Sequence, residues 1–255
     1  MKIFVRILFL AFVLQVYSFS SANASNESYI ETEGVAYPEA GLSLNQLRRI
    51  AIMDAYRYLA EQIDTLHVTS ESTVKNLREL DESINAKVDA ALRGAKVVSV
   101  TRNATDGSFH AFVRMSIYGS NQSLSAAVLQ ENIVKEEFLK PKITNLRSEM
   151  HYTGLVVDCR GLNLAPAVTP AIKSVGGIEV YAYKNVGYQT TVEKGLIEYS
   201  DSMNSSRAGS SPLVVKAAKI SGDCDVIVSD EDANKILAAN QSANILVNCA
   251  VVLVR

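Results

Sequence analysis

The sequence predicts an α+β protein with two domains: an antiparallel-rich sheet with two packed helices in the N-terminal domain, followed by a second small mixed α/β domain. Three observations support this prediction. In the first half, long amphipathic segments alternate with short segments of strand pattern. The pair Asp106-Gly107 between two alternating segments is typical of an antiparallel hairpin. The second half is dominated by short apolar segments of strand length.

The chain of 255 residues divides into four predicted segments. Residues 1–24 form a signal peptide, 25–120 the N-terminal α+β domain, 121–149 a helical connector, and 150–255 the C-terminal mixed α/β domain. A hydrophobic content of 48% with 20% charged residues indicates an ordered globular chain. The formal net charge of -2 provides no attractive field for nucleic acid, which argues against that class of partner.

The first segment has the pattern of an exported protein. Lys2 and Arg6 accompany a mostly apolar stretch over 7–16, and small residues follow up to Ala22 and Ala24, the spacing that precedes a cleavage site. This stretch is shorter than the roughly 20 apolar residues of a spanning helix. We therefore expect cleavage after Ala24 and a mature chain in the periplasm, at the cell surface or in the medium, without stable membrane insertion.

The segment "RRIAIMDAYRYLAEQID" predicts the central helix of the N-terminal domain. Ser43 and Gln46 form a capping-box pattern at the start of a helix that we expect from about 44 to 63. Its polar side mixes both charge signs, which disfavours a membrane-surface helix. Ala51 and Ala55 allow the helix backbone to lie close to a sheet. The predicted core stripe consists of Ile52, Tyr56, Leu59 and Ile63.

Further elements complete the prediction. "SYIETEGVAY" and "LHVTSESTV" are expected strands, and "NLRELDESINAKVDAALRGA" is an expected second helix. In the second half, strands are expected in "LVVDCRGL", "IEVYAY", "GLIEYS", "PLVVKAAKI", "DVIVS" and "ILVNCAVVLVR", with a helix that Ser229 opens and that runs to about Ala239. The β-hairpin predicts one shared sheet face for Phe109, Ala111, Val113, Met115 and Ile117.

The three cysteines leave alternatives open. Cys159 and Cys249 lie in strand-like segments and would form a disulfide if those strands were neighbours. The interpretation that we favour is plain buried thiols. Cys224 lies in a turn pattern and is expected to be the most exposed of the three.

Asp158 and Arg160 are the charged pair that stands out in the second half. They lie two residues apart on an expected strand and therefore face the same side. A local ion pair is the simpler interpretation, and a contact with a ligand or partner is the alternative. The sequence contains no H-E-x-x-H, G-x-S-x-G or phosphate-binding loop motif, so we expect neither catalysis nor a cofactor or metal.

Two longer stretches, "ETEGVAYPEAG" and "RRIAIMDAYRYLAEQIDTLHVTSESTV", resemble the twenty-kilodalton envelope lipoprotein family of bacteria. Members of that family are similar in fold to the N-terminal domain of the flagellar assembly protein T. "YTGLVVDCRGLNLAPAVTP", "SPLVVKAAKI" and "DVIVSDEDANKILAAN" resemble the C-terminal extension of longer proteins in the same group. The resemblance implies a non-enzymatic envelope or surface protein, tied in some relatives to flagellar assembly. No cysteine stands directly after the predicted cleavage site, so we do not expect the N-terminal lipidation of that family to carry over.

Two functions follow as hypotheses. The first is an exported structural or assembly protein whose partners are envelope or surface-assembly proteins. The alternative is a protein that binds a small ligand or a polymer in a cleft between the domains, with Asp158 and Arg160 at its edge. A deep interdomain pocket would favour the alternative, and an exposed strand edge or apolar patch would favour the first.

Overall fold

The computed structural model describes residues 29–142 and 151–255. The predicted signal peptide, with its cleavage positions Ala22 and Ala24, lies outside the described residues, as does the end of the predicted connector.

The first half is built around a three-stranded antiparallel sheet with the strand order β1-β5-β4. The predicted hairpin is confirmed, and Ala111, Val113, Met115 and Ile117 are buried on its core face. In chain order the elements are β1 (Tyr29–Ala36), α1 (Leu44–Thr65), β2 (His67–Thr69), β3 (Ser72–Thr73), α2 (Val74–Leu80), α3 (Glu82–Arg93), β4 (Lys96–Arg102), β5 (Phe109–Ser116) and α4 (Leu124–Val128).

Helix α1 crosses β1 and β5 and forms the centre of this core. The predicted capping box is present, since Ser43 and Gln46 satisfy each other's backbone N–H groups. The buried line of the helix is Leu47, Ala51, Ala55, Leu59 and Ile63, so the alanines face the sheet directly. Ile52 and Tyr56 of the predicted stripe are only partly buried, at the edge of this core. The small alanines let the helix lie so close to the sheet that larger side chains do not fit between the two.

Two predicted elements of the first half differ from the structure. The expected second helix is two helices, because Asp81 takes an extended conformation and its carboxylate accepts hydrogen bonds from the N–H groups of Ser83 and Ile84, which starts α3. The expected second strand is the small hairpin β2–β3, which lies outside the main sheet. It contacts the second half instead, through a bridge between His67 and Ala167.

The predicted helical connector is wrong over most of its described length. Only α4 is helical, and all five of its residues are buried in the N-terminal core. From 130 to 142 the chain has no regular secondary structure and runs along the second half, where Phe138 stacks on Tyr181 and the Glu136 N–H donates to the Lys184 carbonyl. The physical reason is composition: after Leu129 the charged residues leave too few apolar positions to bury a helix face.

The second half consists of two four-stranded sheets that enclose one apolar core with a helix. One sheet is parallel with the order β10-β6-β13-β9, and the other is mixed with the order β11-β12-β7-β8. The elements are β6 (Leu155–Asp158), β7 (Ile172–Ser174), β8 (Glu179–Tyr181), α5 (Tyr183–Val186), α6 (Tyr188–Lys194), β9 (Glu198–Ser200), β10 (Leu213–Lys216), β11 (Lys219–Ser221), β12 (Asp225–Val228), α7 (Asp230–Ala243) and β13 (Val251–Val254).

The last helix begins where the sequence predicts it. The Ser229 hydroxyl accepts a hydrogen bond from the Asp232 N–H, and three acidic residues occupy the first turn. The helix runs one turn beyond the expected end at Ala239 and stops at Asn244, which takes the left-handed conformation. The fold is thus the predicted α+β architecture of two units.

Candidate functional site

The pair Asp158 and Arg160 lies at the carboxyl end of β6 and is satisfied internally. The guanidinium donates from Nε to Oδ1 and from Nη2 to Oδ2 of the carboxylate, each at 2.8 Å, and the Arg160 N–H donates to Oδ1 at 3.1 Å. These bonds hold the pKa of Asp158 at about 2. The geometry is therefore that of the local ion pair, and a contact with a partner remains a prediction.

The cross-strand neighbours of Asp158 add charge to this sheet edge. In the parallel register Lys216 of β10 lies beside it on one side and Val254 of β13 on the other. The carboxyl ends of parallel strands are the usual location of ligand sites in open α/β sheets. Neither the cavity at the junction of the two halves nor the surface groove, both described below, is lined by Asp158 or Arg160.

The alternative of a disulfide between Cys159 and Cys249 is contradicted by strand register, which leaves the favoured interpretation of buried thiols. Both cysteines are free and buried, and their strands β6 and β13 are indeed neighbours. The strands are parallel, however, with Cys249 before the start of β13 and Cys159 after the end of β6. The two residues thus lie at opposite ends of the sheet, on the order of 15–20 Å apart at the rise of a strand, whereas a disulfide needs Cα atoms within about 7 Å.

The third cysteine was also placed wrongly by sequence. Cys224 is buried and not exposed, because the turn before β12 folds back against the core. Burial raises the pKa of both Cys159 and Cys224 to about 12, and nearby aspartates add to the effect. Thiols of this kind stay protonated at neutral pH and are poor nucleophiles, which argues against a cysteine-based active site at Cys159.

A Ser-His-Glu constellation on the open side of the N-terminal sheet was missed by sequence reasoning. The hydroxyl of Ser108 lies 3.0 Å from His110 Nε2, and His110 Nδ1 lies 2.5 Å from Glu33 Oε1. This is the connectivity of a serine hydrolase triad. The signal for it was the spacing of Ser108, directly before β5, and His110 on β5, together with an acid on β1, a pairing that only the sheet register reveals.

The surroundings of Ser108 oppose catalysis. Its side chain is fully buried, and its hydroxyl donates to Asp106 Oδ1 at 2.6 Å. A carboxylate at this position would repel the oxyanion of an acyl-transfer intermediate, whereas a hydrolase needs donors there. The arrangement instead closes the hairpin between β4 and β5 and ties it to β1.

The junction between the two halves is held by hydrogen bonds to main-chain carbonyls. The hydroxyl of Tyr118 donates to the Val168 carbonyl at 2.7 Å. The Val168 N–H donates to the His67 carbonyl, and Thr169 donates from both its N–H and its hydroxyl to the Val68 carbonyl, all at 2.7 to 2.9 Å. Segment 167–169 thus extends the hairpin β2–β3 like an added strand, and Tyr118, Val168 and Thr169 are buried.

A second group of contacts closes the junction at the tip of the same hairpin. Asp225 is 3% exposed. Its carboxylate accepts hydrogen bonds from the Ser70 hydroxyl at 2.8 Å, the Lys173 ammonium at 2.7 Å and the Ala171 N–H at 2.9 Å. Ser70 comes from the first half and the other three residues from the second. We call Ser70, Asp225 and Lys173 the latch.

The junction leaves very little space. Its cavity measures about 10 Å³ and is lined by residues of both halves, among them Leu66, Tyr118 and Tyr199. That volume is at the lower limit for a single water. A more open groove of about 280 Å³ lies on the surface of the second half, lined by Leu162, Asn163, Lys219, Ile220, Gly222 and Asp223.

The described residues give two further findings. None of their helices combines the length and the apolar character needed to cross a membrane. Across 29–142 and 151–255, no three His, Cys, Asp or Glu side chains lie in an arrangement that would bind a metal ion.

Two family models match this chain, one in each half of the fold. Residues 15–116, which end with β5, match the family model of the LPP20 lipoprotein. The first half is LPP20-like. Residues 154–255, which contain β6 to β13, match the model of the second domain of Treponema pallidum Tp0624. The resemblance found in the sequence is thereby confirmed for both halves, and the LPP20-like half supports an envelope-associated protein. No curated protein matches the chain.

Proposed function

We propose that this protein is an exported, non-enzymatic structural or assembly factor that acts by binding envelope or surface-assembly proteins. The LPP20-like half supports the envelope association. The observation that carries the rest is the closed junction, in which main-chain hydrogen bonds and the latch join the two halves.

A closed junction favours a scaffold over a ligand-binding cleft. Ligand sites between domains are typically cavities of about 300–1,000 Å³, whereas the cavity lined by residues of both halves at this junction measures about 10 Å³. Because the junction is closed, partners would bind to the outer surface of the two halves. Exposed apolar side chains lie on edge strands of both halves, Val97 and Val98 on β4 and Val214 on β10.

A role in flagellar assembly is the finer part of this proposal. Its support is the similarity of the LPP20-like fold to the N-terminal domain of the flagellar assembly protein T. Because one fold serves many functions, the identity of the captured partners must decide between a flagellar and a more general envelope role.

The experiment is an affinity purification of the tagged, exported chain from crosslinked native cells, with partners identified by mass spectrometry. A tag-only strain is the control. We expect enrichment of envelope or flagellar-base assembly proteins. Recovery of no protein above the control would contradict the proposal.

A second function has one observation in its favour. The groove beside Asn163 and Lys219 borders the latch, because Gly222 packs against Ser70. If no protein is captured, a thermal-shift screen of cell-wall fragments against the wild type and Lys219→Ala tests a ligand-binding role. A stabilisation that the variant lacks would support it.

A further inference from the structure

We infer that the free edge of β4 docks an extended, acidic segment of a protein partner. This inference rests on the proposed function and assigns a surface and a partner chemistry to it. It follows from three properties of β4: an unpaired backbone edge, exposed apolar side chains and cationic ends.

The backbone edge requires a polypeptide. Strand β4 is the last strand of its sheet and pairs only with β5 within the described residues. Its outer N–H and C=O groups therefore form a row that a further strand can bind. Since α1 lies over β1 and β5, it leaves Val97 and Val98 of β4 40% and 48% exposed. An added strand would cover both side chains.

The charges at the two ends select an acidic occupant. Lys96 begins β4 and Arg102 ends it. Neither forms an ion pair within the described residues, and Arg102 makes only a long 3.4 Å hydrogen bond to the Gly107 carbonyl. Opposite charges directly across a strand pair are stabilising and like charges are destabilising. Acidic side chains at both ends of the incoming strand would thus be favoured.

The same charges disfavour a second copy of this chain. An antiparallel pair of β4 strands would place Lys96 of each copy opposite Arg102 of the other. The acidic edge strand β1 does not supply the occupant either, because its two acids are already paired, Glu31 with Arg114 and Glu33 with His110. Specificity here comes from repulsion as well as attraction.

The test uses two labelled seven-residue peptides, E-T-V-T-V-T-E and K-T-V-T-V-T-K, and the full mature chain. Fluorescence anisotropy is measured with the wild type and with the double variant Lys96→Glu/Arg102→Glu, whose changes lie at exposed positions. We expect the wild type to bind the acidic peptide at least about tenfold more tightly, as two cross-strand ion pairs of about 0.7 kcal/mol each require. The double variant should reverse this preference.

Hydrogen exchange identifies the edge. The acidic peptide should slow exchange of amides in 96–102 and leave the other edge strand, 29–36, unchanged. Equal affinity for both peptides, no binding of either, an unreversed preference, protection at β1 instead of β4, or self-association of the chain through β4 would each overturn the inference.

The inference and the proposed function fail in different ways. If the double variant still captures the same envelope proteins from cells as the wild type, the docking site is wrong and the proposed function stands. If the wild type captures none, the proposed function is wrong whatever the peptides do.

Discussion

The backbone of Gly34 in β1 lies directly against the backbone of Ala55 in α1. A Cβ atom at position 34 would come within 2.1 Å of the Ala55 nitrogen and 2.2 Å of the Ala51 oxygen. A hydrogen bond two residues earlier on β1 reinforces this contact: the Thr32 hydroxyl donates to the Ala55 carbonyl at 2.8 Å. The close packing of helix and sheet in the LPP20-like half thus depends on the absence of one side chain.

Replacing Gly34 should be strongly destabilising. Gly34→Ala forces α1 away from the sheet, because the obstructing atoms belong to the backbone and cannot rotate aside. We expect a loss of about 3 kcal/mol or more in the free energy of unfolding, measured by urea denaturation. Gly94→Ala is the matched control, since Gly94 has helical dihedral angles and its nearest atom lies 3.3 Å away. A change at Gly34 as small as that at Gly94 would contradict the packing.

The latch should stabilise both halves together. Asp225→Ala leaves the Lys173 ammonium and the Ser70 hydroxyl without their partner in a largely buried site, and we expect a loss of about 2–4 kcal/mol. Ser70→Ala removes one neutral donor and should cost about 1 kcal/mol. Exposed Asp201→Ala is the control and should be close to neutral. Chemical denaturation checks all three, and a neutral Asp225→Ala would argue against the latch.

Asp158 should titrate far below an ordinary aspartate. Its guanidinium partner Arg160 holds its pKa at about 2, below the ordinary 3.8. Because the folded-state pKa is depressed, the stabilisation is fully present above about pH 4 and is lost as the pH falls towards 2. The pair is partly exposed, so the contribution should not exceed about 1 kcal/mol. In an NMR titration, Arg160→Met should return the pKa of Asp158 towards its ordinary value, and an unchanged pKa would refute the pairing.

The cysteines should behave as buried thiols. Folded protein should resist a thiol reagent at neutral pH, and all three thiols should react once it is unfolded, with no reducing agent needed. Intact-mass measurement before and after alkylation counts them. If two of the three thiols of the unfolded, unreduced protein failed to react, the protein would contain a disulfide and this prediction would be wrong.

Ser108 should not act as a nucleophile. Because its side chain is fully buried and hydrogen-bonded to Asp106, a fluorophosphonate probe should not label it. Ser108→Ala should lower stability by about 1–2 kcal/mol through the lost hydrogen bonds to Asp106 and His110. Labelling of Ser108 in the folded chain would contradict the non-enzymatic proposal.

Local patterns in the sequence predicted those elements whose determinants are local. The capping residues Ser43 and Ser229 mark both helix starts, and Asp106-Gly107 marks the hairpin. Alternation also predicted the buried face of β5. These features depend on residues a few positions apart, which is why they can be read without the fold.

Features that depend on register could not be read in this way. The sequence indicated that Cys159 and Cys249 lie near strands, but it showed neither that β6 and β13 are neighbours nor that their parallel register separates the two cysteines. The approach of Ser108, His110 and Glu33, and the closure of the junction by Asp225 and Ser70, join positions up to 155 residues apart. No local pattern encodes such distances.

The most direct test of the central claim, that the two halves form one body with a closed junction, is native-state hydrogen exchange at Val168 and Thr169. These amides donate to the carbonyls of His67 and Val68 across the junction. If the junction is closed, they should exchange only through global unfolding, with the same free energy as the slowest amides of β5 and β13. If these amides exchanged through an opening whose free energy is several kcal/mol below that of global unfolding, with both cores still protected, the halves would separate and the account would be contradicted.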